Sequence, residues 1–492
     1  MEKVVDIKES LIHFFTVHDG GLSYCTLTFF LTFLVFYAIY IIISCGRKEG
    51  MQIYVALFSL FYAYKANGWF MLLLPATTLI SWLLVKWMLE FKDKRRRKLI
   101  AALGVLIALT PLVYFKYTNF AIQTLNSIIA SNFSPIEMFL PVGLSFYTFQ
   151  AISYIVDVYK GKFNGETTLL EYTFFLTFFP LLIAGPITRP ETLIPQLKEK
   201  IPVSKTLIYS GLFLIISGIL KKGLVADYIA QYNDWIFEDP EAYSGFEVLM
   251  GVVGYTIQIY CDFSGYSDFS IGIAALMGIR LLPNFNSPYQ SLNLTEFWHR
   301  WHIALSTWFR DYIYIPLGGN RKGKIRTYLN NFATMLFAGW WHGASWMFLI
   351  WGGIHGVGLI VHKSLRKRLD RLENGPGIRF WSWLVTFAFV AFAWIFFRSS
   401  SVENASAVIS RIFTDLNFEY LLPFCIARPL WMMLTFSALL LHLIIRENVF
   451  YWFQERFVRM PWIGKFIIFL IAVQLVINFR LESVNPFIYA QF

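Results

Sequence analysis

The stretches FWHRWHIALSTWFRDYIYIPLGGN (297–320) and LFAGWWHGASW (336–346) decide how this chain is read. They set His302 and His342, with several Trp, Arg and Asp residues, inside sequence that is otherwise apolar. Lipid penalises an ionisable side chain at mid-bilayer by about 2.5 kcal/mol or more. An intramembrane histidine is therefore a functional-site hypothesis by default, and two of them point to chemistry within the bilayer.

The surrounding composition supports a membrane protein. Of 492 residues, 57% are hydrophobic and 15% charged, whereas a soluble chain carries about a quarter charged residues. The 50 Phe suit lipid-facing surface, and the Trp and Tyr suit interfacial belts and polar-lined cavities. Cys25, Cys45, Cys261 and Cys425 show no CxxC spacing, which gives neither a disulfide framework nor a zinc site. The net charge of +11 reads as membrane orientation rather than nucleic-acid binding, because basic residues cluster in short loops. The clusters are KDKRRRK (92–98), RKGKIR (321–326) and KSLRKRLDR (363–371). Polyanion binding through them is the weaker alternative.

At ~20 apolar residues per crossing, the chain holds about eleven to thirteen transmembrane or re-entrant segments. No internal repeat, low-complexity segment or soluble domain interrupts them, so 1–492 reads as one membrane domain. The first apolar run, Thr26 to Ser44, follows a mixed segment with Glu2, Asp6, Glu9 and Asp19. That order does not fit a cleavable signal. Charge places the acidic N-terminus outside and GRKEG (46–50) inside. Segments 51–65 and 68–90 then form a hairpin returning to the cytoplasm at KDKRRRK. The two later basic loops also face the cytoplasm, and residues 327–362 between them suffice for two short crossings. Residues 188–204 and 447–465 mix charge with apolar residues and suit helices in the headgroup plane. Ordinary connecting loops fit them equally well.

In EFWHRWH (296–302), Glu296, His299 and His302 fall at i, i+3 and i+6, roughly one helix face. Glu-x-x-His is the unit of di-metal carboxylate sites in bundles. Such a site needs a second copy, which no other apolar segment supplies. Trp298, Trp301 and Trp308 suggest instead an interfacial anchor or a cavity wall. Arg310 and Asp311 read first as an ion pair holding a turn, and second as a subsite for an anionic group. PLGGN (316–320) is a turn by its Pro and Gly content.

In AGWWHGASW (338–346), small residues flank His342. They let helices approach closely, and they leave room for a substrate beside the imidazole. Burial favours a neutral imidazole, which can take a proton from an attacking hydroxyl. Ser345, at i+3, lacks the setting of a nucleophile elbow, so direct transfer is preferred over a seryl intermediate. In CDFSGYSD (261–268), Asp262 and Asp268 interrupt apolar sequence. They are either the polar turn of a hairpin over 246–283 or groups facing an active cavity. Pro141, Pro180 and Pro186 break helices in PVGLSFYTFQ (141–150) and FPLLIAGPITRP (179–190). Broken helices in lipid occur where they line a cavity or are buried in protein.

Taken together, five co-linear motifs resemble the membrane-bound O-acyltransferase (MBOAT) family. They are PVGLSFYTFQAISYIVDVYKG (141–161), FFPLLIAGPITRP (178–190), YCDFSGYSDFSIG (260–272), the 297–320 stretch, and WWHGASWMFLIWGGIHG (340–356). They cover about 140–360, and the bacterial branch with the alginate O-acetylation membrane subunit and the teichoic acid D-alanyl transfer protein is the most similar. The resemblance implies an all-α polytopic fold: a ring of helices around a thinned, polar-lined central tunnel, in a bacterial inner membrane. It maps the family's Trp-His-Gly histidine onto His342 and the Trp-His-x-x-Leu-Ser histidine onto His302. His299 departs from the pattern, since related sequences often carry Arg there.

The implied activity is transfer of a short acyl group, acetyl foremost, from a cytoplasmic thioester to a hydroxyl of an exported polysaccharide or cell-wall glycan. The donor is a co-substrate, acetyl-CoA or an acyl carrier protein, with no bound cofactor or metal. Implied partners are membrane lipid, the polysaccharide acceptor and an extracytoplasmic acyltransferase protein, with no nucleic acid. His342 is the expected general base, and His302 the group that orients acceptor or donor carbonyl. Asp262, Ser264, Asp268, Trp301, Ser306, Arg310, Trp341 and Ser345 are the substrate-binding candidates. A transporter or flippase for a lipid-linked sugar is the competing class, though repeat symmetry and paired broken helices are missing.

Overall fold

The computed structural model describes residues 24, 26–183, 185–199, 203–369 and 375–479. The expectations for residues 1–23, and parts of the loops at 188–204 and 363–371, lie outside the described residues. Among the described residues every regular element is helical, as lipid demands of backbone that must satisfy its own N–H and C=O groups. Six helical runs among them are long and apolar enough to cross a bilayer: Lys48–Glu90, Lys94–Ile129, Lys205–Glu238, Trp346–Leu365, Pro376–Arg398 and Trp462–Phe479. Phe418–Ala427 and Pro429–Ile444, bent by 104°, make a seventh if counted as one span. The chain is an all-α, multi-pass membrane protein. Fewer long runs than apolar segments result because several segments merge and others fold as short helices.

The helices group into two compact units, Met1–Val203 with Gly278–Leu281, and Ser204–Met277 with Leu282–Phe492. The first unit holds α1 (Leu27–Ser44), α2 (Lys48–Asn67), α3 (Leu73–Glu90), α4 (Lys94–Ile129), α5 (Leu144–Tyr159), α6 (Leu169–Thr177), α7 (Phe179–Leu182) and α8 (Pro190–Lys198). α2 and α3 belong to one run broken at Gly68, whose φ of 56° leaves the helical path. Asp93 opens α4 by accepting from the N–H groups of Arg95 and Arg96 at 3.1 and 3.3 Å. The expected proline breaks occur. Pro141 precedes α5, Pro180 sits in the first turn of α7, and Pro186 lies between α7 and α8. The extended chain before α5 is held by Asn67, whose side chain accepts from the Val142 N–H at 2.6 Å and donates to its carbonyl at 3.2 Å. In α8, Leu193, Ile194 and Leu197 are buried.

The second unit holds α9 (Lys205–Ile219), a wide π turn (Leu220–Ala226), α10 (Asp227–Glu238) and α11 (Gly245–Leu276). Then come α12 (Leu294–Arg300), α13 (Ile303–Phe309), α14 (Lys324–His342), α15 (Trp346–Leu369) and α16 (Pro376–Arg398). α17 (Val402–Thr414), α18 (Leu421–Ala427), α19 (Pro429–Ile444), α20 (Glu447–Arg459) and α21 (Trp462–Phe479) complete it.

α11 corrects one expectation. Residues 246–276 are not a hairpin with Asp262 and Asp268 at its turn but part of a single helix of 32 residues. No proline interrupts it, and its aspartates are neutralised laterally. Lys222 pairs with Asp262 and, at 2.8 Å, with Asp227, while Lys221 pairs with Asp268 at 2.8 Å. Glycines bring the partners this close. A Cβ at Gly211 would stand 2.7 Å from the Gly272 carbonyl, and one at Gly218 would stand 2.7 Å from the Gly265 carbonyl. Only glycine permits that approach of α9 to α11. The π turn next to it carries Lys221 and Lys222, and such wide turns recur at functional sites.

Candidate active site

His302 owes its position to a deliberate break. Asn293 caps α12 by accepting from the Glu296 N–H at 2.9 Å, and α12 ends at Arg300. Trp301 is extended (φ −98°, ψ 128°), and His302 is left-handed (φ 42°, ψ 56°). A non-glycine residue there costs about 1–3 kcal/mol and persists only where its surroundings over-determine it. Here they do. Ile303 N–H donates to the Asn284 carbonyl at 2.8 Å, and Ala304 N–H donates to Asn284 Oδ1 at 3.3 Å. Ser306 Oγ donates to the Trp301 carbonyl at 3.1 Å.

This break also corrects the expectation that Glu296, His299 and His302 share one helix face, because the helix stops before His302. Glu296 is engaged by Arg300 at 2.8 Å and by the Leu292 N–H at 2.9 Å, and His299 is exposed.

The imidazole of His302 is 1% exposed. Its Nδ1 lies 3.3 Å from Asn284 Oδ1. That oxygen is identified by the Ala304 N–H it accepts, and Asn284 Nδ2 donates to Ser267 Oγ at 3.1 Å. In the neutral ring Nδ1 therefore carries the proton and Nε2 the lone pair. Phe263 of α11 meets the ring edge-on at 4.6 Å.

His342 is the last residue of α14 and is 3% exposed. Gly343 turns the chain into an extended step before α15. A Cβ on Gly343 would collide with the ring of Phe348. Phe348 in turn lies 5.0 Å from Phe397, and Phe397 lies 5.2 Å from His342. Trp341 at 4.9 Å and Trp351 at 5.1 Å complete the rings around the imidazole. The space left by the small residues is thus filled by Phe348 on that side. Trp341, 5% exposed, also faces His302 at 6.2 Å, so one indole touches both histidines.

The other candidates separate by role. Trp301, 1% exposed, packs against Phe285, Phe297 and Trp394 at 5.1–5.6 Å. Ser264 is buried on α11 beside Phe263. Asp262 lies in the fully buried ion pair with Lys222, and Asp268 also accepts from Ser217 at 2.7 Å. Ser345 caps α15, accepting from the Met347 N–H at 3.2 Å. Arg310, with 59% of its side chain exposed, pairs with Asp311 at 2.8 Å and is not among the rings around the histidines.

Four residues near the candidate site were not among the sequence-predicted ones. Lys221 and Lys222 sit at the end of an apolar run far from the aspartates they neutralise. His355, fully buried on α15, lies 4.9 Å from Trp351. Asn284 has no motif of its own. A lysine pair inside an apolar run was the one available signal, because an uncompensated buried charge is too costly to stand alone.

A family model described as the membrane-bound O-acyltransferase family matches residues 165–404. The chain is 37% identical over 390 residues to the probable alginate O-acetylase AlgI of Pseudomonas aeruginosa, covering 78% of this chain and 73% of that protein. It is 34% identical over 399 residues to the peptidoglycan O-acetyltransferase of Helicobacter pylori, covering 75% of each. Similarity to the teichoic acid D-alanyltransferase of Bacillus subtilis is 26% over 373 residues, 73% of this chain and 92% of that one. A helical multi-pass architecture, two buried histidines on one indole and these similarities agree: the chain belongs to the membrane-bound O-acyltransferase family and is a membrane O-acyltransferase.

Proposed function

We propose that this enzyme moves an acetyl group from a cytoplasmic thioester to a hydroxyl of an exported polysaccharide or cell-wall glycan at the bacterial inner membrane. His342 is the general base. The observation that carries the reading is its burial at the end of α14 within a cage of Trp341, Trp351 and Phe397. A neutral imidazole in that place can accept the hydroxyl proton. The relatives named for alginate, peptidoglycan and teichoic acid support a glycan acceptor.

In the reaction the acceptor hydroxyl attacks the thioester carbonyl. Its proton passes to His342, the carbon–sulfur bond breaks, and the thiolate takes up a proton. His302, with Nδ1–H held by Asn284, keeps the lone pair on Nε2, which can accept from the acceptor hydroxyl and so orient it. Ser264, Trp301, Ser306 and Trp341 shape the surroundings, while Asp262 and Asp268 are held in ion pairs, Ser345 caps α15 and Arg310 pairs with Asp311 apart from the histidines. The donor is acetyl-CoA or an acyl carrier protein, and an extracytoplasmic acyltransferase partner completes delivery.

The test is transfer of radiolabelled acetyl from acetyl-CoA by the full chain in proteoliposomes, with glycan mass spectrometry of a deletion strain. His342→Ala is expected to lower transfer by about 100-fold or more. Near wild-type transfer in that variant would end the assignment of the base. Accumulation of glycan in sealed vesicles without acyl product would favour transport.

A further inference from the structure

The aromatic wall beside His342 continues along α15 to a second imidazole. His355 is fully buried, one helical turn beyond Trp351. Rings face it from three helices. Phe297 and Trp298 of α12 lie at 6.2 and 5.1 Å, Trp351 of α15 at 4.9 Å, and Phe389 and Trp394 of α16 at 5.6 and 6.5 Å. None of those facing side chains is charged or titrates.

Among the described residues, no protein group hydrogen-bonds either ring nitrogen of His355, nor the indole N–H of Trp298, Trp351 or Trp394. A neutral imidazole has one donor and one acceptor, and each indole has one donor. These groups touch one another in a single cluster, so the unanswered hydrogen-bonding capacity is concentrated rather than scattered. A buried donor left unanswered is unfavourable. Buried polar groups in folded proteins are answered by protein or by ordered water. An apolar cluster of the same shape would avoid that cost, so the nitrogens call for a polar occupant. The occupant must be small, since the rings stand in contact.

We propose that His355 and the indole N–H groups of Trp298, Trp351 and Trp394 hold internal water beside His342, and that His355 is a positioning residue for proton transfer through that base. The proposal rests on the reading of His342 as general base. Trp351 joins the two imidazoles, 5.1 Å from His342 and 4.9 Å from His355. During transfer one proton leaves the acceptor hydroxyl as its oxygen bonds to the acyl carbon. One proton is taken up by the thiolate as the carbon–sulfur bond breaks. Water held at His355 orients the His342 ring from the Trp351 side and receives or returns the proton that passes between these two events. No further reactant is needed.

Two measurements on the full chain in proteoliposomes test this. In the first, solid-state NMR with 15N-labelled His and Trp reads magnetisation transfer from water protons to side-chain nitrogens. Water contacts are expected at the imidazole signal that disappears in His355→Gln, and at the Trp351 indole. Their absence in the wild-type protein overturns the proposal whatever the substrate.

In the second, thiol release from acetyl-CoA is followed. His355→Phe is expected to lower kcat about tenfold or more at unchanged KM and undiminished melting temperature. His355→Gln, which keeps a donor and an acceptor, is expected to stay within about threefold of wild type. Wild-type kcat in His355→Phe, or equal loss in both variants, overturns the proposal. Lack of thiol release by the wild-type enzyme would count against the proposed donor, while the water contacts still decide this inference.

Discussion

Asn284 dictates which nitrogen of His302 bears the proton: its Oδ1 lies 3.3 Å from Nδ1 and is itself fixed by the Ala304 N–H. One side chain therefore controls both the left-handed backbone at His302 and the chemistry of its ring. Asn284→Leu removes the acceptor for both donors, whereas Asn284→Asp keeps it. We expect kcat for acetyl transfer to fall about 10- to 100-fold in the leucine variant and distinctly less in the aspartate variant. Wild-type kinetics in Asn284→Leu would remove His302 from the reaction.

Gly343 and Phe348 predict a coupled pair. A methyl group on Gly343 meets the Phe348 ring, which leans on Phe397 and so on His342. Gly343→Ala should lower the melting temperature, at a cost of about 1–3 kcal/mol, and reduce transfer. Adding Phe348→Leu makes room, and the double variant should recover part of both losses. A double-mutant cycle with no coupling would show that the two residues act independently.

The lysines of the π turn predict a stability effect. Lys222, with 2% of its side chain exposed, balances Asp262 and Asp227. Lys222→Met removes this cation from the buried Asp262 and the partly exposed Asp227, which costs about 3–5 kcal/mol. Thermal unfolding in detergent should shift accordingly, and further than for Arg459→Met, whose i,i+4 pair with Glu455 is exposed. Exposed pairs of that kind contribute about 0–1 kcal/mol. Equal shifts would mean that the buried network adds nothing.

Ser345 is predicted to matter for α15 rather than for bond making. Its oxygen accepts the Met347 N–H at 3.2 Å, and loss of such a cap costs about 0.5–2 kcal/mol. Ser345→Ala should melt earlier yet turn over within a few-fold of wild type. Trapping of an acyl-Ser345 species by mass spectrometry would contradict direct attack on the thioester.

The membrane class was legible because it depends on local pattern, the long apolar runs. The single helix α11 was not. Two aspartates in an apolar run read as a turn until their cations are known, and Lys221 and Lys222 lie some forty residues earlier in the chain (a separation visible in the numbering alone). The left-handed φ of His302 was equally hidden, since propensity favours glycine or asparagine there. It is imposed by Asn284, a tertiary partner. The helix face drawn through Glu296 and His302 failed for the same reason.

The hairpin of α14 and α15 sets a requirement of reach. α14 carries 19 residues from Lys324, beside a basic loop, to His342 at its far end. At 1.5 Å per residue that is ~28 Å of rise, close to the ~30 Å hydrocarbon core of a bilayer. On the proposed reading, with a cytoplasmic thioester as donor and His342 as base, a thioester arriving at the basic end meets the protein a full helix length from that histidine. Its carbonyl travels that distance only on a slender, extensible arm, while the bulky carrier stays behind. If that reading holds, length of tether, as much as identity of the acyl group, selects the donors.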